Sequence, residues 1–175
     1  MKELLLKLKA CKEAVEWAGN KTAKEVIDTC HRGDWLLWLA DKLKVDDRPL
    51  ALAKGHCANT VRHLMKDKRS IKAVDAAIAY GNGEISKKEL KDAAYAYASS
   101  AASSDSYAAA SAYAASYAPS YAAAAAASFA AYAAAYAADA ASYAADAADA
   151  AEKSNQLETA DICRKYLGKL ILELC

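Results

Sequence analysis

The sequence predicts an all-α fold, a multi-helix bundle of about seven to eight helices with long alanine- and tyrosine-rich helices in its second half. Three observations carry this. Apolar residues recur at spacings of three and four, and no segment keeps the alternation of a half-buried strand. Helix caps and breakers punctuate the first half at short intervals. Residues 93–151 hold 34 alanines among 59 positions, and alanine is the strongest helix former.

The elements follow in order. Over residues 2–18, Leu4, Leu5, Leu8, Cys11, Val15 and Ala18 share one face, and Gly19-Asn20 stops that helix. Thr22 with Glu25 forms a capping-box pattern that opens a short helix to Cys30. Asp34 suits the N-cap of a helix from Trp35 to about Lys44, with Leu36, Leu39 and Leu43 on the face of Trp35 and Trp38 beside it. Pro49 starts a helix to about Lys66, with Leu52, Val61, Leu64 and Met65 as core candidates. Ser70 caps the next, carrying Ile71, Val74, Ala77 and Ile78, which ends at Gly81-Asn82-Gly83. Ser86 and Glu89 make a second capping box.

Beyond residue 90 the composition changes. The chain reads as a single all-helical domain: a globular half (1–90), an Ala/Tyr/Ser-rich part (91–152) and a C-terminal amphipathic helix (153–175). In the last, Leu157, Ala160, Cys163, Leu167, Leu170 and Leu174 recur at three and four. Pro119 divides the middle part, and the helix after it would extend about 50 Å, to about Glu152. Residues 106–138 carry no charge, but they are mainly Ala, Ser and Tyr. Leu, Ile, Val and Phe drive insertion into a bilayer, so a membrane span is rejected.

Charge is almost balanced, 23 basic against 22 acidic residues, which predicts no strong field toward nucleic acid or membrane. The halves differ: residues 1–90 carry 18 basic and 13 acidic groups, residues 91–175 carry 5 and 9. The five cysteines follow no repeated spacing and fit reduced thiols in a cytoplasm. The start, charged within its apolar run, reads as a helix and not as a signal peptide.

The helix after Pro119 carries an aromatic stripe. With Tyr121 at zero, Tyr132, Tyr143, Tyr136 and Phe129 fall at about 20°, 40°, 60° and 80° around the axis. Ser128, Asp139 and Asp146 flank them, with Ser142 and Asp149 just beyond. Either the rings pack against neighbouring helices, or the stripe is a contact surface. In the second reading Tyr121, Ser128, Tyr132, Tyr136, Asp139, Tyr143 and Asp146 bind a partner, and their acidic edge favours a basic one.

Motifs for chemistry are few. Gly81 to Leu90 resembles half of a calcium loop, but Ile78 and Tyr80 stand where the first carboxylates are needed. Cys30, His31, His56, Cys57 and His63 lack the paired spacing of a zinc site. Cys57 adjoins His56, yet neighbours on a helix do not face each other. No phosphate loop, nucleophile elbow or zinc-protease helix occurs, so no enzyme and no cofactor are expected. Arg32, Trp35 and Trp38, with His56 and Arg62, are candidates for a small-ligand pocket.

The run CKEAVEWAGN, then CHRGDWLLWLA, then HCANTVRHL resembles a family of bacterial immunity proteins of polymorphic-toxin systems. The likeness continues through GNGEISKKEL, the alanine-rich stretch and ADICRKYL, and is most specific at the Gly-Asp-Trp segment. It implies a helical cytoplasmic protein that neutralises a cognate toxin by blocking it. The first functional expectation is therefore a non-enzymatic immunity protein whose acidic, tyrosine-rich back half meets a basic toxin. A second is a protein that binds or sequesters a nucleotide signal, with Tyr and Trp stacking on the base and Arg and His holding phosphate. A third, a structural or ice-contacting helical protein, fits the alanine but not the absence of threonine from residues 93–151.

Overall fold

The computed structural model describes residues 1–65, 68–98 and 145–175, with side chains throughout except at 64, 94–98 and 145–149. Among the described residues there are eight α-helices, one 3-10 turn and no strand, so the fold is all-α. They are α1 (Lys2–Lys7), α2 (Lys12–Ala18), α3 (Ala23–Thr29), α4 (Gly33–Lys42) and α5 (Asp47–Asn59). The 3-10 turn Arg62–Leu64 follows, then α6 (Lys68–Asn82), α7 (Lys87–Ala98) and α8 (Ala145–Leu174). Among these residues no helix is long and apolar enough to cross a membrane.

Several boundaries differ from the sequence expectation, each for a local reason. Residues 2–18 form two helices because Lys9 adopts a left-handed conformation, φ 62°. Lys9 N–H donates to Leu6 O and Ala10 N–H to Leu5 O, the paired bonds of a Schellman stop. The α4 helix starts at Gly33, with Arg32 as its N-cap residue. Asp34 does not cap it; its carboxylate accepts two bonds from the Arg32 guanidinium. The α5 helix begins before Pro49, which sits in the first turn where a missing N–H costs nothing, and ends at Asn59.

Two apolar clusters form the core. The first joins α1 to α5 with α8, around Leu36, Leu37, Cys57, Leu167 and Ile171. The second joins α5, α6 and α7, around Val61, Val74, Ala77 and Leu90. Each buried Leu, Ile or Val side chain contributes about 1.5–3 kcal/mol. The α5 helix serves both clusters: Leu50, Ala53 and Cys57 face the first, Ala51 and Ala58 the second. Its small residues permit close approach, and so does Gly33, where a Cβ would lie 2.6 Å from Thr159 Oγ1.

The α8 helix buries the middle of the expected stripe and departs from it at the two ends. Ala160, Cys163, Leu167 and Ile171 are fully buried, whereas Leu157 is 51% and Leu174 49% exposed. The polar residues Asn155 and Thr159 extend the buried stripe, Thr159 with its hydroxyl bonded and Asn155 with its Nδ2 bonded but its Oδ1 without a hydrogen-bond partner. Asn155 Nδ2 donates to Thr60 Oγ1 at 2.9 Å, and Thr159 Oγ1 donates to Asn155 O at 2.9 Å. Arg164 donates to Cys30 O at 2.6 Å, which satisfies a carbonyl at the end of α3.

Candidate functional site

A recess of about 300 Å³ lies among α1 to α4. The sequence builds its mouth locally. The Thr22–Glu25 capping box is present in full, and α3 ends at Cys30 in extended backbone. That extended stretch carries His31 and Arg32 to the start of α4. One helical turn then separates Trp35 from Trp38, both half-buried on the recess wall.

Trp17, at the end of α2, completes the aromatic wall. Its ring lies 5.8 Å from that of Trp35 and 5.8 Å from that of His31, and His31 lies 5.9 Å from Trp35. The tilted and edge-on arrangements are those aromatic quadrupoles favour. Cations sit over the indoles: Lys21 at 4.4 Å from Trp17 and Arg32 at 5.0 Å from Trp35. These contacts hold the Trp17 and Trp35 rings in place.

The floor is apolar, with Leu5, Val26 and Leu39, and the charge is confined to one side. Arg32 Nε and Nη2 donate to Asp34 Oδ1 and Oδ2 at 2.8 and 2.7 Å, a planar fork. Glu13, largely exposed, lies 4.0 Å from Arg32 Nη1. Cys30 also lines the recess, but burial pushes its thiol up to about 11, so it stays protonated at neutral pH. The arrangement suits binding of an apolar group beside a polar edge.

Of the candidate pocket residues, the structure brings Arg32, Trp35 and Trp38 together. His56 and Arg62 sit elsewhere. His56 stacks on Tyr166 of α8 with ring centroids 4.9 Å apart, and Arg62 is paired with Asp75 of α6. Among the candidate partner-binding residues, Tyr121, Ser128, Tyr132, Tyr136, Asp139 and Tyr143 lie outside the described residues. Asp146 falls in the first turn of α8, with its side chain outside them.

The sequence reading did not place Trp17 in the recess, nor His31 against its tryptophans. The available signal was the concentration of Trp17, His31, Trp35 and Trp38 within a run of 22 residues, counted from 17 to 38. The calcium-like segment is a turn followed by a cap: Glu89 Oε2 accepts from Ser86 N–H and Ser86 Oγ. Among the described residues no group of three or more His, Cys, Asp or Glu is arranged to hold a metal ion. Compared with family models, with curated proteins and with solved structures, the chain matches none.

Proposed function

We propose that the protein is a non-enzymatic binding protein that neutralises a toxin in the cytoplasm by direct contact. The observation that carries this reading is the preorganised recess of Trp17, Trp35 and Trp38 beside the Arg32–Asp34 fork. Trp and Arg are the residues that most often dominate binding energy at protein interfaces, and rigid rings lose little entropy on contact. The occupant proposed is an apolar side chain of the toxin, its polar neighbour meeting the charged edge. The resemblance of the Gly-Asp-Trp segment to bacterial immunity proteins supports the class of partner. The tyrosines and aspartates between 121 and 146, expected from the sequence to bind a partner, would in this reading meet a basic region of the toxin.

The test is binding and growth rescue with the toxin encoded beside the gene. The wild-type chain should bind it and restore growth. Trp38→Ala should weaken binding by at least about tenfold while the protein still folds, because Trp38 is only half-buried. Rescue with unchanged affinity in that variant would remove the recess from the interface; no binding by the wild type would remove the toxin.

A further inference from the structure

Cys57 of α5 and Cys163 of α8 meet inside the first apolar cluster. Their sulfurs lie 3.8 Å apart although 106 positions separate them in the chain, and both side chains are fully buried. Their other polar contacts are weak: Cys57 Sγ lies 3.8 Å from Thr159 O and Cys163 Sγ 3.5 Å from Gly33 O. About one helical turn before each cysteine stands a fully buried alanine, Ala53 and Ala160, so the two helices can pack closely at this crossing. Two free thiols in that relation stand close to disulfide geometry. Rotation about the two Cα–Cβ bonds and a slight approach of the helices bring the sulfurs to the ~2.0 Å of a bond.

The crossing bears on the tryptophan recess. In the chain α8 follows α7 only after residues 99–144, so no short connection ties it to its neighbours. Its contacts reach the segment that forms the recess mouth. Arg164 donates to Cys30 O at 2.6 Å, and Cys163 touches Gly33 at the start of α4. His31 and Arg32 lie between those two points of the backbone. Whatever keeps α8 docked therefore also keeps that wall of the recess in shape.

We propose that Cys57 and Cys163 form a redox latch: in oxidising conditions they join as a disulfide that ties α8 to α5. The oxidant is a low-molecular-weight disulfide, oxidised glutathione. Burial keeps the folded sulfurs from it, so exchange begins while α8 is undocked. One thiolate attacks oxidised glutathione, which forms a mixed disulfide and releases one glutathione thiolate. As α8 returns, the second cysteine attacks the protein sulfur of the mixed disulfide, and the second glutathione leaves. One S–S bond has replaced two S–H bonds, and two electrons and two protons have passed to glutathione. Excess reduced glutathione reverses both steps, so the latch opens in a reducing compartment.

The full chain, refolded from urea into a buffer of reduced and oxidised glutathione, provides the test. After an acid quench the remaining thiols are alkylated in denaturant and the disulfides mapped by mass spectrometry. Cys57–Cys163 should be the prevailing protein disulfide. The effective concentration of the two thiols should be at least about hundredfold higher in the folded chain than in urea. By the same linkage, the oxidised chain should need more urea to unfold than the reduced chain. Cys11→Ala/Cys175→Ala removes the two exposed thiols, so it should fold normally and keep both the crosslink and its stabilisation. Cys57→Ala should lose both, with its oxidised and reduced forms unfolding alike. A scrambled mixture of disulfides, full alkylation of Cys57 and Cys163 after refolding, equal effective concentrations in urea and native buffer, or loss of the crosslink in the double variant would each overturn the latch.

Discussion

Three left-handed residues stop helices in the same way, and only one of them is glycine. Gly83, at φ 84°, ends α6 with Gly83 N–H on Tyr80 O and Glu84 N–H on Ala79 O. Lys9 ends α1, and Lys44, at φ 61°, ends α4 through Lys44 N–H on Asp41 O and Val45 N–H on Ala40 O. Glycine is the usual residue there, so the stop at Gly83 was legible in the sequence and that at Lys9 was not. An L-residue pays about 1 kcal/mol for this conformation. Lys9→Gly should therefore raise stability by about 0.5–1 kcal/mol in chemical denaturation, and a loss would contradict the strain. Titration belongs to this scale too. Burial pulls the Lys54 ammonium down to about 8, against the attraction of Asp41 and Asp47. The unfolded chain then holds that proton longer, so Lys54 makes stability rise with pH between about 8 and 10.5. Burial pushes Cys30 up to about 11 and raises Cys163 as well, each from 9.0, so the unfolded chain ionises both thiols first. They make stability fall above pH 9, two groups against one. Denaturation midpoints under reducing conditions should climb from about pH 8 to 9 and decline beyond it; a steady climb to pH 10 would contradict the burial of the thiols.

At the scale of the element, the local rules were readable and the faces less so. Both capping boxes, Thr22 with Glu25 and Ser86 with Glu89, were visible as spacings because each bond spans three residues. Thr22→Ala should cost about 1 kcal/mol in denaturation. Ala160, Cys163 and Leu167 of α8 are buried as their spacing predicts, but the ends of the face were misread, because Leu157 and Leu174 recur at helical spacing while Asn155 and Thr159 look like surface residues. Thr60, just past the end of α5, accepts from Asn155 Nδ2, a partner that only the fold supplies. The helix pair α4–α8 depends on a residue that pattern reading treats as a breaker. A Cβ on Gly33 would meet the Thr159 backbone carbon at 2.7 Å, a contact that no rotamer change relieves. Gly33→Ala should therefore destabilise by about 1–3 kcal/mol, and a neutral melt would show that α8 can retreat.

For the whole molecule, what the sequence lacked was distance between residues far apart in the chain. Arg32, Trp35 and Trp38 were legible as a group because two turns of chain hold them together. His56 was grouped with them by residue type alone, and the packing of α5 on α8 turns it to Tyr166. A recess of about 1020 Å³ lined by Asp41, Lys44, Arg48 and Lys165 was not legible at all, because α4, the α4–α5 connection, α5 and α8 meet only in the fold. The central claim is that the tryptophan recess meets the partner. Hydrogen–deuterium exchange of the chain alone and with its toxin tests it most directly. Contact at the recess should bring new protection in residues 11–39, around Trp17, Trp35 and Trp38. Protection confined to residues 121–146, with 11–39 unchanged, would contradict it.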